Sequence, residues 1–546
     1  MSAAGEPACR RGERTERGGE GAARPGERTG RLFGVGVGPG DPELVTIKAR
    51  RVIESSAVIA YPVARHGRSV ARRIAAPYLR ESQAEVALRY PVTTEETDHP
   101  GGYEGALRDF YEASAAELSA HLDAGRDVAV LCEGDPFLYG SYMYLHDRLA
   151  GRYRTEVIPG VTSFSAAAAS TGTPLARRDE VLTVLPGTLS PDALAARLRA
   201  SDASVVLKLG RTFGAVREAA ERAGVAQRSV YVERASSSEE RSAPLREVTG
   251  DVPYMSLVLV PADGVPAAGL AVGGVSAGGV SAGGVSAGGV SAGGNGRLGS
   301  VVVVGIGPGG AGWLTPEAQA ELAAADELIG YETYLNRVPE RHGQRRHPSD
   351  NRVEAQRAVH ALELAGAGSQ VAVVSSGDPG IFAMAAAVLE AVDRNVDLAR
   401  VEVRVVPGVS AMQAAAARVG APLGHDFCVL SLSDQLKPWD VVERRLDAAG
   451  AADLVLALYN PASRTRREQL ARAVEVLRRH RMDATPVVVA RALGSPEEVV
   501  SVTTLGALGL YAVDMRTLLI VGSSTTRTMA NGARPPRVYT PRRYPA

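Results

Sequence analysis

Four short motifs occur twice in this chain, in the same order, and four uninterrupted copies of GGVSA at 273–292 lie between the two sets. GVGPGDPELVT (36–46) is matched by GIGPGGAGWLT (305–315), and VAVLCEGDPFLYG (128–140) by VAVVSSGDPGIFA (371–383). VIPGVTSFSAAAA (157–169) is matched by VVPGVSAMQAAAA (405–417), and TPLA (173–176) by APLG (421–424). The offsets are 269, 243, 248 and 248 residues. Collinear motifs at nearly constant offset require two copies of one domain, and 546 residues is too long for a single core. The drop from 269 to 243 puts about 26 extra residues in the first copy, around YPVTTEETDHPGGYEGA (90–106), which reads as a loop insertion.

The expected domains are 31–262 and 299–529. Residues 263–298, built around the uncharged GGVSA copies, read as a flexible linker. Residues 1–30 are polar and mixed in charge, without a signal-peptide apolar region, and read as a disordered tail. Residues 530–546 read as a polar tail rich in Pro and Arg. Within each copy, short β-branched runs alternate with Ala- and Arg-rich helical stretches. The expected fold class is α/β, with largely parallel sheets and sites at strand C-termini.

The glycine turn raises the question of a bound phosphate. Gly305, Gly307 and Gly310 satisfy G-x-G-x-x-G, but in the first copy the third position is Asp41, which would repel a pyrophosphate. Pro39 and Pro308 each remove a backbone donor. The ribose-binding acid expected after the second strand is replaced by Tyr61–Pro62 in the first copy; in the second, Tyr331–Glu332 offers only Glu332. The small-residue turns at Gly134–Pro136, Gly377–Pro379, Pro159–Ser163 and Pro407–Ala411 offer backbone groups suited to adenine, ribose or an amino-acid moiety without a phosphate.

At these residues the chain resembles the tetrapyrrole methylase family of S-adenosylmethionine-dependent enzymes, over about residues 31–262 and 299–529. VIAYPVAR, CEGDPFLYGSYMYLHDRL, VLPGTL, VVLKLGR and PYMSLVLV resemble the precorrin-2 C20-methyltransferases. SSGDPGIFAMAAAVLE, ARVGAPLGHDFCVLSLSDQLKPW, LALYNPASRTRREQL and VDMRTLLIVGSS resemble the precorrin-3B C17-methyltransferases. The resemblance implies two tandem domains, each bilobal, with two α/β sheets and a cofactor cleft between them. It implies one S-adenosylmethionine per domain, no protein-bound metal, and the substrates precorrin-2 and precorrin-3B. The second reaction is coupled to ring contraction.

Carried over by motif, the cofactor contacts of the first half are Pro39, Glu133, Gly134, Asp135, Leu138, Thr162, Ser163, Leu209 and Ala235. Those of the second are Pro308, Ser376, Gly377, Asp378, Ile381, Ser410, Ala411, Tyr459 and Ala492. Some relatives carry an Asp base after the tyrosine that ends the second strand; here Pro62 and Glu332 occupy those places. Tyr61 is the first half's candidate catalytic residue. Glu332, His425 and Asp426 are those of the second, although GHDF reads equally as a turn capping the next strand. The substrates are polycarboxylates, so arginines in ARHGRSVARR (64–73), RHGQRRH (341–347) and NPASRTRR (460–467) are candidate partners for acidic arms, against the alternative of a solvated helix face. Lys208, Asn460 and Arg464 are the candidate substrate contacts.

With 61 basic and 61 acidic residues there is no net field to draw nucleic acid or an anionic membrane. No apolar run is long enough for a membrane span. Cys9, Cys132 and Cys428 lie far apart, which suits a reducing, cytoplasmic setting and shows no metal spacing. The expected assembly is a homodimer or an intrachain pseudo-dimer. Three other readings stand beside the precorrin methyltransferase: the same two methylations on cobalt-precorrins, a nucleotide-dependent oxidoreductase with two Rossmann domains, and a family member acting on ribosomal RNA or a translation factor.

Overall fold

A computed structural model of the chain describes residues 29–541 apart from 65–66, 92–96, 178–179, 263–297, 351–352, 396, 436, 464–465, 511–512 and 530–535. The expectations for residues 1–28 and for the GGVSA linker therefore lie outside the described residues.

Each half opens with a five-stranded parallel sheet. In the first, the order is Ala84–Arg89, Val58–Val63, Val128–Cys132, Leu32–Gly36, Thr155–Ile158. In the second it is Arg345–Ser349, Glu327–Tyr331, Gln370–Ser375, Ser300–Gly305, Glu402–Val406. The central strands are continuous apolar runs because helices cover both faces. Helix starts follow the sequence closely: Thr46, Thr162, Ser190, Thr315 and Ser410 each accept a backbone N–H of the first turn.

The second lobes do not form two sheets. They join into one sheet of ten strands, ordered Val499–Thr504, Pro486–Arg491, Thr517–Val521, Val455–Tyr459, Phe427–Ser431, then Leu182–Pro186, Ala203–Leu207, Ser256–Val260, Val230–Glu233, Arg241–Pro244. The seam is an antiparallel pair between the halves, with Phe427 opposite Val184 and Val429 opposite Leu182. The halves thus pair within one chain. This sheet also departs from the expectation of largely parallel pairing. Only the pairs 182–186 with 203–207 and 427–431 with 455–459 are parallel, because the later strands return by antiparallel neighbours rather than crossovers.

One apolar core spans the seam, bringing Phe164, Leu175 and Ala176 together with Trp313, Ile381 and Met412. Ala176 donates its N–H to Gly380 (3.1 Å), and Gln413 Nε2 donates to the Gly160 carbonyl (2.8 Å). At the first lobes, Ile47 N–H donates to the Leu314 carbonyl (3.1 Å).

Two further expectations change. The segment 90–106 is not all loop: Gly102–Asp123 is a 22-residue helix, against 13 residues for Glu354–Gly366 in the second half. Nor is the chain after 529 wholly a tail. Arg537–Tyr539 is a strand paired with Arg527–Met529 and Gly420–Ala421. Its Val538 is buried, and Arg537 donates to Thr155 Oγ1 of the first half (2.9 Å). An alternating polar–apolar strand of three residues between Pro-rich stretches has little local signal.

Candidate active site

In the first half the turns at the strand C-termini converge. Gly38 and Gly134 form an antiparallel bridge, with Gly134 N–H on the Gly38 carbonyl (2.8 Å). A Cβ on Gly160 would lie 2.1 Å from the Gly134 carbonyl oxygen, so the third turn rests directly on the second. Asp135 holds the two together, accepting N–H bonds from Phe137 (2.9 Å) and Gly160 (3.2 Å). Burial pushes its carboxyl up to about 7, although those N–H groups oppose the shift.

These turns line a cavity of about 310 Å³. Pro39, Glu133, Gly134, Asp135, Leu138, Thr162, Ser163 and Ala235 all face it, which brings together every first-half cofactor candidate except Leu209. Leu209 is a correction. Its side chain is buried with Leu185, Phe213 and Val216 under the helices, and Leu207 and Lys208 line the cavity instead. The backbone explains the slip: Lys208 (φ 62°) and Asn460 (φ 49°) share the left-handed conformation after equivalent strands, so Leu207, not Leu209, is the counterpart of Tyr459. Likewise Arg234 (φ 51°) corresponds to Ala492 (φ 53°).

Tyr61 is a second correction. Strand alternation turns it to the outer face, where it packs among Ile59, Ile74 and Leu131 with the Arg72 guanidinium 5.9 Å from its ring. Pro62 takes the cavity side. Lys208 lines the cavity with its ammonium 4.6 Å from the Tyr139 ring centroid.

Sequence reasoning missed an aromatic wall formed by Tyr90, Phe110 and Tyr111. The rings of Tyr90 and Phe110 are 4.5 Å apart, and the Tyr90 and Tyr111 hydroxyls are 3.2 Å apart. The signal was available: Phe110 and Tyr111 are adjacent, just after the half-specific insertion, in a chain only 5% aromatic.

The second half repeats the staple. Gly307 and Gly377 form the bridge, and Asp378 accepts from Gly380 (2.9 Å) and Gly408 (3.2 Å), its carboxyl pushed by burial up to about 6. Ser410 and Gln413 make a full capping box. The Tyr459 hydroxyl accepts from Met412 N–H (3.2 Å), which places Tyr459 beside Ser410 and Ala411. Ile381 is buried in the seam core beside Leu175. Arg337, also unforeseen, donates to the Pro308 carbonyl (3.0 Å) and to Ser376 Oγ (3.4 Å).

Asn460 donates to Ser431 Oγ (3.1 Å), and Arg464 lies outside the described residues. Glu332 is exposed at the start of the one-turn helix Glu332–Leu335. His425 and Asp426 do not belong to the second half's turns. Asp426 is buried at the seam, paired with Arg197 of the first half, and His425 Nδ1 is 3.7 Å from its Oδ1. The antiparallel register causes this, since the start of one half's seam strand lies beside the end of the other's. The arginine stretches serve the fold as well. Arg72 pairs with Glu85, Arg345 with buried Glu327, and Arg466 donates to the Leu432 carbonyl (2.6 Å).

No phosphate cradle forms in either turn. Asp41 caps its own short helix, accepting from Glu43 N–H (2.8 Å). Gly310 (φ 77°) is there because a Cβ would lie 2.7 Å from the Gly494 carbonyl oxygen. The first-half cavity instead offers small-residue backbone, the hydroxyl residues Thr162 and Ser163, apolar walls and an acid, Glu133. That donor set fits an adenosine carrying a sulfonium and an amino-acid end, without phosphate. Among the described residues no helix is long and apolar enough to cross a membrane.

The sequence profile of the Tetrapyrrole (Corrin/Porphyrin) Methylases matches residues 31–249 and again 300–509. The chain belongs to that family, with two copies of its domain. The cobalamin biosynthesis protein CobIJ of Mycobacterium tuberculosis (strain ATCC 25618 / H37Rv) is 52% identical over 521 residues, covering 94% of this chain and 96% of the relative. The precorrin-2 C(20)-methyltransferase of Sinorhizobium sp is 47% identical over 234 residues, 42% of this chain and 95% of its own. The precorrin-3B C(17)-methyltransferase of the same source is 51% identical over 247 residues, 45% of this chain and 97% of its own. The former matches the first half and the latter the second.

Proposed function

We propose that the chain is a bifunctional C-methyltransferase of corrin-ring biosynthesis, its first half methylating precorrin-2 at C20 and its second methylating precorrin-3B at C17 with ring contraction. The observation that carries this reading is the division of similarity: one family domain occurs twice, and each copy matches a different precorrin methyltransferase along nearly its whole length. S-adenosylmethionine, one per half, supplies an electrophilic methyl group whose leaving group is neutral.

The chain's own work is then positional. The stapled glycine turns hold the donor's backbone-facing edge, and Asp135 and Asp378 keep those turns fixed. In the first half the Tyr90–Phe110–Tyr111 wall gives a conjugated macrocycle a flat apolar face, while Lys208 and Arg234 meet its carboxylate arms. The same pairing of halves replaces a separate partner subunit. Mass spectrometry tests the reading. Precorrin-2 given the full chain and S-adenosylmethionine gains one methyl, and the oxidised C20-methylated intermediate gains one more.

A further inference from the structure

We propose that Glu133 is the catalytic base of the first half, taking the hydrogen that the methylated bridging carbon must release; this rests on reading that half as a C20-methyltransferase. Glu133 directly follows the strand Val128–Cys132 and lines the cavity with Pro62, Tyr111 and Lys208. Among the described residues its carboxylate makes no hydrogen bond or ion pair. Asp135, two residues on, is committed to Phe137 and Gly160 and belongs to the scaffold. An acid left without partners in a largely buried place is costly, and such groups concentrate where chemistry uses them.

The second half sharpens the point. It repeats the turn, but Ser376 stands where Glu133 does, its hydroxyl held by Arg337. The two reactions differ in the same respect. C20 is a bridging carbon that bears a hydrogen, whereas C17 already carries a side chain and has no hydrogen to lose. Once C20 has accepted the methyl group, the macrocycle carries one positive charge. The C20–H bond then breaks, its electron pair returns to the conjugated system, and the proton passes to the Glu133 carboxylate. Charge and atoms balance without any further reagent.

Burial pushes the Glu133 carboxyl up to about 7, so it exchanges a proton near neutrality. The surrounding charged and titratable groups are Arg73 on the helix Val70–Ala75, which favours the ionised form, Asp135 on its own turn, Lys208 and Arg234 across the cavity, and Tyr90 and Tyr111 on the wall.

The test uses the full chain, precorrin-2 and S-adenosylmethionine, with Glu133→Gln and Glu133→Asp. The wild-type rate of C20 methylation should rise with pH through about 7. Glu133→Gln should lower it by roughly 10²–10⁴-fold and flatten that profile, and Glu133→Asp should restore part of it. S-adenosylhomocysteine affinity, read by calorimetry, should fall by far less than the rate in Glu133→Gln, and measurable binding also shows that the variant folds. In the ligand-free protein, the infrared carboxylic-acid absorbance that fades as pH rises through about 7, to which Asp135 also contributes, should be smaller in Glu133→Gln by one carboxyl group. A Glu133→Gln enzyme with the wild-type rate and profile overturns the proposal. So does one whose only defect is weaker S-adenosylhomocysteine binding, which would make Glu133 a donor contact. If wild type adds no methyl at all, the C20 reading has failed, and the proposal falls with it.

Discussion

Gly160 and Gly408 each stand where no side chain fits, since a Cβ would lie 2.1 Å from the Gly134 carbonyl oxygen and 2.4 Å from that of Gly377. Gly160→Ala must spread the first half's turns and Gly408→Ala the second's. Calorimetry with S-adenosylhomocysteine should count two sites in wild type and one in each variant. Glu133 gives a pH effect at the same scale. Its carboxyl is raised from 4.5 to about 7, so the unfolded chain gives up that proton first. Its stability contribution is full below about pH 4.5 and is lost as pH rises through about 7. Glu133→Gln should therefore unfold at higher denaturant than wild type at pH 8, by about 1–3 kcal/mol, with no gain at pH 4. Much of this site was legible in sequence, because its turns need glycine and aspartate at fixed spacing. Tyr61 was not, because which face of a strand meets the cavity depends on what packs against the sheet. Glu133's isolation was not either, since it is a property of neighbours distant in sequence.

The helix Gly102–Asp123 and the seam strands set the differences between the halves. The longer helix brings Phe110 and Tyr111 to the cavity, and its starting point was hidden by a Pro- and Gly-rich approach that reads as loop. At the seam, Arg197 reaches Asp426 across the boundary. Removing the cation would leave a buried carboxylate without its ion-pair partner, so Arg197→Ala should cost roughly 3 kcal/mol in urea unfolding of the full chain, and Arg197→Leu with Asp426→Leu should recover most of it. His425 and Asp426 were misplaced for the same reason. Sequence order puts them in the second half, and only the antiparallel register puts them beside the first.

For the whole molecule, duplication was plain in the offsets, but the fusion of two sheets into ten strands was not, because nothing local marks an edge that another domain will cover. Each half on its own would bare a seam strand, Leu182–Pro186 or Phe427–Ser431, with its row of unpaired backbone groups. Halves expressed separately should run as dimers or larger species in gel filtration, while the intact chain runs as a monomer. A monomeric isolated half would contradict this account of the seam. The glycine turns also meet at the centre, where Gln413 of one half bonds Gly160 of the other, yet each half keeps its own stapled set of turns. The most direct test is mass spectrometry of precorrin-2 incubated with S-adenosylmethionine and wild type, Gly160→Ala or Gly408→Ala. Wild type and Gly408→Ala should add one methyl at C20 and Gly160→Ala none. Unchanged precorrin-2 with wild type, or C20 methylation that survives Gly160→Ala and is lost in Gly408→Ala, would contradict the assignment of the two halves.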